Sequence, residues 1–535
     1  MNKKYKYSIL LFFLWAQVVA SLAKKPSESP NILFVFSDDH AWQSIGAYGG
    51  RLKDVAHTPH IDKLASEGML FRKCFVTNAL CGPSRAAILT GKYGHRNGVT
   101  WNRNTNFDGS QQTFPKMLRK NGYQTAIIGK WHLASVPTGF DYFDVMKGQG
   151  RYYNPFLQRG NAEGLQDTRT VVGYNSDIVG DLTIEWLKNG RDKSKPFMLM
   201  SQFKATHHGF CPGPEEYDLY DDVHIPEPDN LFDDFSYRGT AIREQTLTLY
   251  KNLSHGILVG DPGELGKLNP KQRKAWNAYR SKFSKPFQAM NLNWNDQNRE
   301  LSRFKYQALL KNFLAAGAGI DKNVGRIRAF LQENDLADNT IVIYMADHGF
   351  FLGEHGFFDK RFMYEESFRT AFIVHWPGQV EAGVVNDQDI VSNIDIASTF
   401  LDIAGIEIPQ EIQGKSMVPV LQGKTPDNWR KTFLYTYHEL ANHNVQPHFG
   451  VTDGRNKLIY YPKYNEWEFF DLKKDPQEMI SQYFIPENKT VITKLKKELV
   501  RLRNQYYCPP IITLRNMNKK ANWDYEKRLM PLGVK

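Results

Sequence analysis

Four short apolar runs, each ending abruptly in charged or imidazole side chains, constrain this chain more than any other feature. Ile32-Leu33-Phe34-Val35-Phe36 leads into Ser37-Asp38-Asp39-His40, and Thr125-Ala126-Ile127-Ile128 leads into Gly129-Lys130-Trp131-His132. Phe197-Met198-Leu199-Met200 runs toward Lys204-Ala205-Thr206-His207, and Ile341-Val342-Ile343-Tyr344-Met345 into Ala346-Asp347-His348-Gly349. Continuous apolar runs of this length suit strands buried on both faces, as in a sheet covered by helices. Amphipathic stretches accompany them, over residues 61–65, 177–188, 306–333 and 395–405. Strands alternating with helices predict an α/β fold. In open sheets of that class, ligand-binding groups gather just beyond the carboxyl ends of the strands. Here four strand ends would deliver Asp, Lys and His side chains to one edge.

From about residue 430 the texture changes to short aromatic strands, among them 457–461 and 468–470, followed by a helix over 491–504. This predicts a main domain over 24–429 and a smaller C-terminal subdomain over 430–535 built on an antiparallel sheet. The start of the chain is different again. Lys3, Lys4 and Lys6 precede an apolar run over 9–20, and Ser21-Leu22-Ala23 offers small residues for cleavage. That is the pattern of a secretory signal peptide over 1–23, too short and wrongly flanked for a stable span. It predicts an exported protein, periplasmic or secreted, with no stable membrane anchor. Cleavage would remove three lysines and no acids, lowering the formal charge from +11 to +8. A basic exported protein suits a polyanion. No nucleic-acid motif is present, so a sulfated polymer is the more economical partner.

Cys81-Gly82-Pro83-Ser84-Arg85-Ala86-Ala87-Ile88-Leu89-Thr90-Gly91 is the most specific string. Pro83 suits the first turn of a helix, the next residues are helix formers, and Gly91 is placed to stop them. Residue 81 then sits beside a helix N-terminus, where negative charge is favoured. Arg85 would lie one turn in, near that charge. Asp38 and Asp39, with Asp347 and His348 from another strand end, can enclose one hard divalent cation. The other cysteines, Cys74, Cys211 and Cys508, allow at most one internal disulfide and have no zinc-site spacing.

These strings resemble the formylglycine-dependent sulfatases of the alkaline phosphatase-like superfamily. The likeness runs from about Asn31 to Asp475 and includes Gly129-Lys130-Trp131-His132, Gly353-Glu354-His355-Gly356-Phe357-Phe358-Asp359-Lys360-Arg361 and Gly414-Lys415-Ser416. It implies an α/β sandwich with a large central mixed sheet flanked by helices. It also implies that Cys81 is oxidised by a formylglycine-generating or equivalent maturation enzyme to an aldehyde whose hydrate attacks sulfur. Asp38, Asp39, Asp347, His348 and an oxygen at position 81 would hold the metal, expected to be calcium with magnesium as the alternative. Arg85 and Lys130 would support the nucleophile, His207 and Lys360 the sulfate and the leaving oxygen, and His132 would be the base that frees the product. Two departures from the family pattern stand out: His348 replaces a common Asn, and Thr206 replaces the usual Pro before His207, leaving His208 as a rival.

Ile225-Pro226-Glu227-Pro228 and Tyr237-Arg238-Gly239-Thr240 look like blocks of N-acetylglucosamine-6-sulfatases. The implied substrate is a sulfated carbohydrate, with Trp101, Arg103, His438, His448 and Arg455 as candidate sugar contacts. Two other readings follow from the same residues. One is a formylglycine-dependent phosphodiesterase or phosphonate monoester hydrolase of the same fold. The other is a catalytically dead carbohydrate-binding protein whose Trp276, Trp294 and Trp467 would stack on sugars.

Overall fold

The computed structural model describes residues 29–102, 105–439 and 442–509. The leader-like segment 1–23 and Arg103 lie outside these residues. Ten strands form one sheet: β1 (Asn31–Asp38), β2 (Met69–Phe71), β3 (Gln124–Lys130), β4 (Tyr142–Met146), β5 (Phe156–Asn161), β6 (Gly164–Thr170), β7 (Phe197–Thr206), β8 (Thr340–Ala346), β9 (Phe372–His375) and β10 (Val384–Asn386). Their order is β10-β2-β9-β8-β1-β7-β3-β4-β5-β6. The centre, β8-β1-β7-β3-β4, is parallel. β9 runs antiparallel to β8, and β5 runs antiparallel to β4 and β6. The mixed sheet expected from the sequence is present, and all four apolar runs are in its parallel centre.

Successive side chains of a strand point to opposite faces, so a strand that is apolar throughout needs cover on both. In β1, Ile32, Phe34 and Phe36 pack with residues of α2 (Cys81–Thr90) and α5 (Asp395–Ile403). Leu33 and Val35 enter the opposite core, with α1 (Pro59–Ser66), α3 (Asn175–Glu185) and α4 (Arg299–Glu333). The 35-residue α4 starts at Asn298, whose side chain accepts hydrogen bonds from the Glu300 and Leu301 N–H groups. Such a cap satisfies donors that the first turn leaves unpaired. The helix expected over 177–188 begins two residues earlier, and a π-turn over Trp186–Gly190 takes up its last residues.

A second sheet joins β11 (Phe433–Tyr437), β12 (His448–Thr452), β13 (Asn456–Tyr461) and β14 (Glu466–Asp471), all antiparallel. One face takes α6 (Lys489–Gln505) through Ile492, Leu495, Leu499 and Leu502, which pack with Leu434, Val451, Leu458 and Phe469. The other face packs Tyr435, Tyr437, Ile459, Tyr461 and Phe470 with Phe362, Met363, Tyr364 and Phe368. That second contact matters for the site, because residues 362–368 begin two positions after Lys360. Among the described residues, no helix is long and apolar enough to cross a membrane.

Candidate active site

Because β1, β3, β7 and β8 are parallel, their carboxyl ends meet on one edge of the sheet. β1 ends at Asp38 and the chain turns at Asp39, whose φ is 63°. β3 ends at Lys130, β7 at Thr206 just before His207, and β8 at Ala346 just before Asp347 and His348. α2 presents Cys81 as its first residue and stops at Gly91, which takes the left-handed conformation with φ 65°. Lys360 comes from the segment before residues 362–368. All ten residues singled out from the sequence are buried, none more than 7% exposed. Charged groups are tolerated at that depth only when paired, or when a metal satisfies them.

The pairing is dense. Lys360 Nζ donates to both oxygens of Asp39, at 2.6 and 2.7 Å, and lies 3.5 Å from Cys81 Sγ. Cys81 Sγ is 3.8 Å from Asp39 Oδ1. Lys130 Nζ bonds Asp38 and also donates to Gln149 Oε1 at 2.5 Å. Arg85 lies beneath the acids, with Nη2 3.3 Å from Asp38 Oδ1 and 3.4 Å from Asp347 Oδ2. Its Nη1 donates to the Lys130 carbonyl at 2.9 Å and to Gln202 Oε1 at 2.5 Å. Arg85 thus supports the carboxylates, where the sequence suggested it would face the charge at residue 81. Three cations, Arg85, Lys130 and Lys360, stand against three acids, Asp38, Asp39 and Asp347.

One corner of this bed gathers donor atoms from four residues. Asp39, Cys81, Asp347 and His348 offer donor atoms that all lie within 4.8 Å of one another. His348 Nδ1 pairs with the Gly349 carbonyl at 2.9 Å, which fixes the tautomer with the proton on that nitrogen. Its buried Nε2 has no hydrogen-bond partner, although Asp39 Oδ1 and Asp347 Oδ1 lie at 3.2 and 3.4 Å. Burial pushes the ring down to about 4, so Nε2 carries a free lone pair at neutral pH. Burial, and then the neighbouring Asp38 carboxylate, hold the Asp347 carboxyl well above the usual range. An unpartnered imidazole nitrogen beside crowded carboxylates is the donor set a divalent cation would complete. The residues fit such an ion.

The remaining ionisations are sorted by neighbours. Burial opposes the charge of Asp38, but Lys130, His207 and Arg85 override it and hold that carboxyl well below its ordinary value. Burial likewise opposes the Lys360 ammonium, which Asp39 keeps charged far up the scale. Burial, then Lys130, push His132 well down, leaving its ring neutral. Burial and the Asp38 charge raise the Cys81 thiol well above the usual thiol range, so an unmodified cysteine here is a neutral, weak nucleophile.

His207, rather than His208, reaches the cluster: its ring joins Asp38 and Cys81 as a third close donor. His132 is also present, just past the end of β3 at Lys130, where the backbone turns at His132 with φ 54°. Several proposed sugar contacts lie elsewhere. His438 and His448 are buried at 6% and 0% exposure, and Trp276 at 2% belongs to the core. Arg455 is paired with Asp471 at 2.7 Å. All four cysteines are unpaired. Two residues that sequence reasoning passed over complete the bed. Lys204, fully buried in β7, donates to Glu264 Oε2 at 2.6 Å and to the Gln149 carbonyl at 3.2 Å. Glu264 Oε2 in turn lies 3.8 Å from His207 Nδ1. The only available signal was a charged residue within a strand that is buried along its whole length.

Comparison with known proteins follows the same outline. The sulfatase family model matches residues 30–406, and a model described as N-sulphoglucosamine sulphohydrolase, C-terminal, matches residues 353–505. The N-acetylglucosamine-6-O-sulfatase of Bacteroides thetaiotaomicron is 41% identical over 517 residues, covering 92% of this chain and 90% of that protein. An arylsulfatase of Clostridium perfringens is 26% identical over 516 residues, covering 88% and 94%. A solved structure of a protein in complex with its substrate D-glucosamine-2-N,6-O-disulfate matches with a TM-score of 0.83 at 39% identity. The match covers 90% of this chain and 98% of that one.

Proposed function

The chain belongs to the sulfatase family and is a sulfuric ester hydrolase; within that family we propose that it is exported and removes sulfate from carbohydrates bearing N-acetylglucosamine 6-sulfate. The 6-sulfated amino sugar is supported by the names of its relatives, and the export by the leader-like segment 1–23. The observation that carries the reading is the convergence of Cys81, Lys360 and His348 on Asp39, in one buried bed at the sheet edge. In this reading residues 24–429 carry the catalysis, and 430–535 form a C-terminal subdomain that backs the Lys360 segment.

We assign Asp38, Asp39, Asp347, His348 and position 81 to a divalent cation, calcium in preference to magnesium because five protein donors suit calcium's six to eight ligands, whereas magnesium usually keeps several waters. Such an ion would supply Lewis-acid pull on a sulfate oxygen. Converted to formylglycine and hydrated, position 81 would supply one hydroxyl to attack sulfur and displace the sugar oxygen, and a second whose deprotonation re-forms the aldehyde and breaks the carbon–oxygen bond that holds the sulfate. The protein's own groups do the rest. Lys360 and Lys130 keep positive charge against the anionic oxygens, where a buried cation acts far more strongly than in water. His207 and Lys360 flank the departing sugar oxygen, one of them giving it a proton. The neutral His132 ring accepts the proton released as the product leaves. Arg85 and Gln202 hold the acids and Lys130 in place from below. With three cations against three acids, a bound divalent ion leaves the bed positive and complementary to a sulfate ester.

The test is to produce the protein together with a formylglycine-generating enzyme, weigh the peptide containing Cys81, and assay sulfate release. The expected result is an aldehyde at position 81 and turnover of N-acetylglucosamine 6-sulfate, lost in Cys81→Ser as sustained turnover. A converted enzyme that releases phosphate from matched esters, and no sulfate, would overturn the reading.

A further inference from the structure

Beside the catalytic bed lies a cavity of 850 Å³, within the roughly 300–1,000 Å³ range of small-molecule sites. It shares two residues with the bed. Gln149 accepts from Lys130 Nζ through its side chain and from Lys204 Nζ through its carbonyl, at 2.5 and 3.2 Å. Glu264, also in the wall, is the partner of Lys204 and lies 3.8 Å from His207. A molecule in this cavity would therefore sit against the same hydrogen-bonded frame that holds Lys130 and His207.

The rest of the wall is charged in one sense. Lys147, Arg151 and Lys267 line it, all three exposed, and none makes an ion pair or a side-chain hydrogen bond among the described residues. The only acid in the wall is Glu264, already paired with Lys204. Phe156 and Val172 also line the cavity, at 40% and 69% exposure. Exposed apolar side chains beside unpaired cations suit a ligand with an apolar ring face and an anionic substituent. Surface lysines are ordinarily solvated and paired with nothing. Two lysines and an arginine around one concavity, whose inner wall is the catalytic frame, call for a shared ligand.

We propose that this cavity is a second anion subsite: it receives a further sulfate or carboxylate of the carbohydrate whose sulfate ester occupies the catalytic bed. Lys147, Arg151 and Lys267 hold that group, and Phe156 and Val172 meet the sugar ring. The proposal rests on the desulfating role described above and narrows its substrate class to carbohydrates carrying at least two anionic groups. The second group lies either on the same ring or on the neighbouring one.

Binding to the full-length Cys81→Ala protein tests it without relying on turnover. The probes are N-acetylglucosamine 6-sulfate, D-glucosamine-2-N,6-O-disulfate, and a disaccharide in which a uronic acid is linked to N-acetylglucosamine 6-sulfate. At least one doubly anionic probe should bind about tenfold more tightly than the singly anionic one. The advantage should shrink as salt is raised, because exposed charges are screened. Which probe gains tells which ring carries the second anion. Adding K147Q, R151Q and K267Q together should abolish the advantage and leave the singly anionic probe within about twofold, which also controls for folding. No advantage in the parent, or an advantage that survives the triple substitution, overturns the subsite. Failure of the desulfating role reads differently: the converted enzyme would release no sulfate from any probe, while the binding advantage and its loss would persist.

Discussion

Replacing Lys360 by Met keeps the length and the apolar stem of the side chain and deletes one charge. In the folded protein that charge meets both Asp39 oxygens, at 2.6 and 2.7 Å, and nothing else as close replaces it: His348 Nε2 follows at 3.2 Å. Asp39 is fully buried, so water cannot compensate. Removing one partner of a buried pair costs about 3–5 kcal/mol, because the other charge is left uncompensated. Unfolding entropy of about 2.1 cal/mol/K per residue gives roughly 1 kcal/mol/K for a chain of this size. The K360M protein should then melt about 3–5 °C below the parent in the presence of a chelator. Calcium separates this account from simple damage. An ion at a hundred times its Kd stabilises a protein by about 2.7 kcal/mol. Next to an unneutralised Asp39 it should bind more tightly still, so the calcium-induced rise in melting temperature should be larger in K360M than in the parent. Calorimetric melting of both proteins, with chelator and with calcium, reads all four values. Equal melting in chelator, or a calcium shift no larger in the variant, would refute the pairing and the proximity of the ion to Asp39. Sulfate release should fall at least about a hundredfold in either case, the usual cost of losing one charge-stabilising donor.

Three further outcomes are expected. His348→Ala should weaken calcium binding at least about tenfold in calorimetric titration, whereas His348→Asn, which offers an amide oxygen, should retain most of it. Gly129→Ala should lower the melting temperature and reduce activity, because the new Cβ would lie 1.9 Å from the Gln202 carbonyl oxygen at a φ of +102°. Strain and overpacking together cost about 2–5 kcal/mol, and a variant that melts like the parent would contradict the geometry. Acidification should draw stability from the buried histidines. Burial pushes His40 to about 3 and His448 to about 4, from 6.5. Both rings stay neutral in the folded state where the unfolded chain would be protonated. Their contribution is complete above pH 6.5 and is lost as pH falls toward 4, at about 1.4 kcal/mol per pH unit per ring. Asp321 and Glu478, each pushed up to about 7 by burial, oppose that slope over the same range, so the comparison is between proteins: denaturant unfolding between pH 7 and 5 should show the parent losing more stability than His40→Gln.

The parts of this protein legible in its sequence are those encoded within a few residues. The apolar run 32–36 announces a doubly covered strand, because alternation gives each face its own share of the core. The string 81–91 announces a helix with Cys81 at its start and Gly91 at its stop. The acids, lysines and histidines just past the strand ends announce an edge rich in function, since parallel strands bring their carboxyl ends together. Lys360 is different in kind: in a charged loop it resembles any surface lysine, and only its family-like surroundings single it out.

What the tertiary structure decided was partnership and burial. His438, His448 and Trp276 have the composition of sugar contacts, but the packing of the second sheet and of α4 encloses them. Gln149, Gln202, Lys204 and Glu264 look unremarkable in sequence and lie up to 134 positions from Lys130, yet they frame it or its neighbours in the fold. The direction of Arg85, toward the acids instead of the cysteine, follows from the stacking of its guanidinium 4.9 Å from the Phe36 ring and from two carboxylates beneath α2. Local sequence specifies which face of an element is apolar and where it must end. The cost of removing a charge from water depends on every group that closes around it, and those groups come together only when distant segments pack.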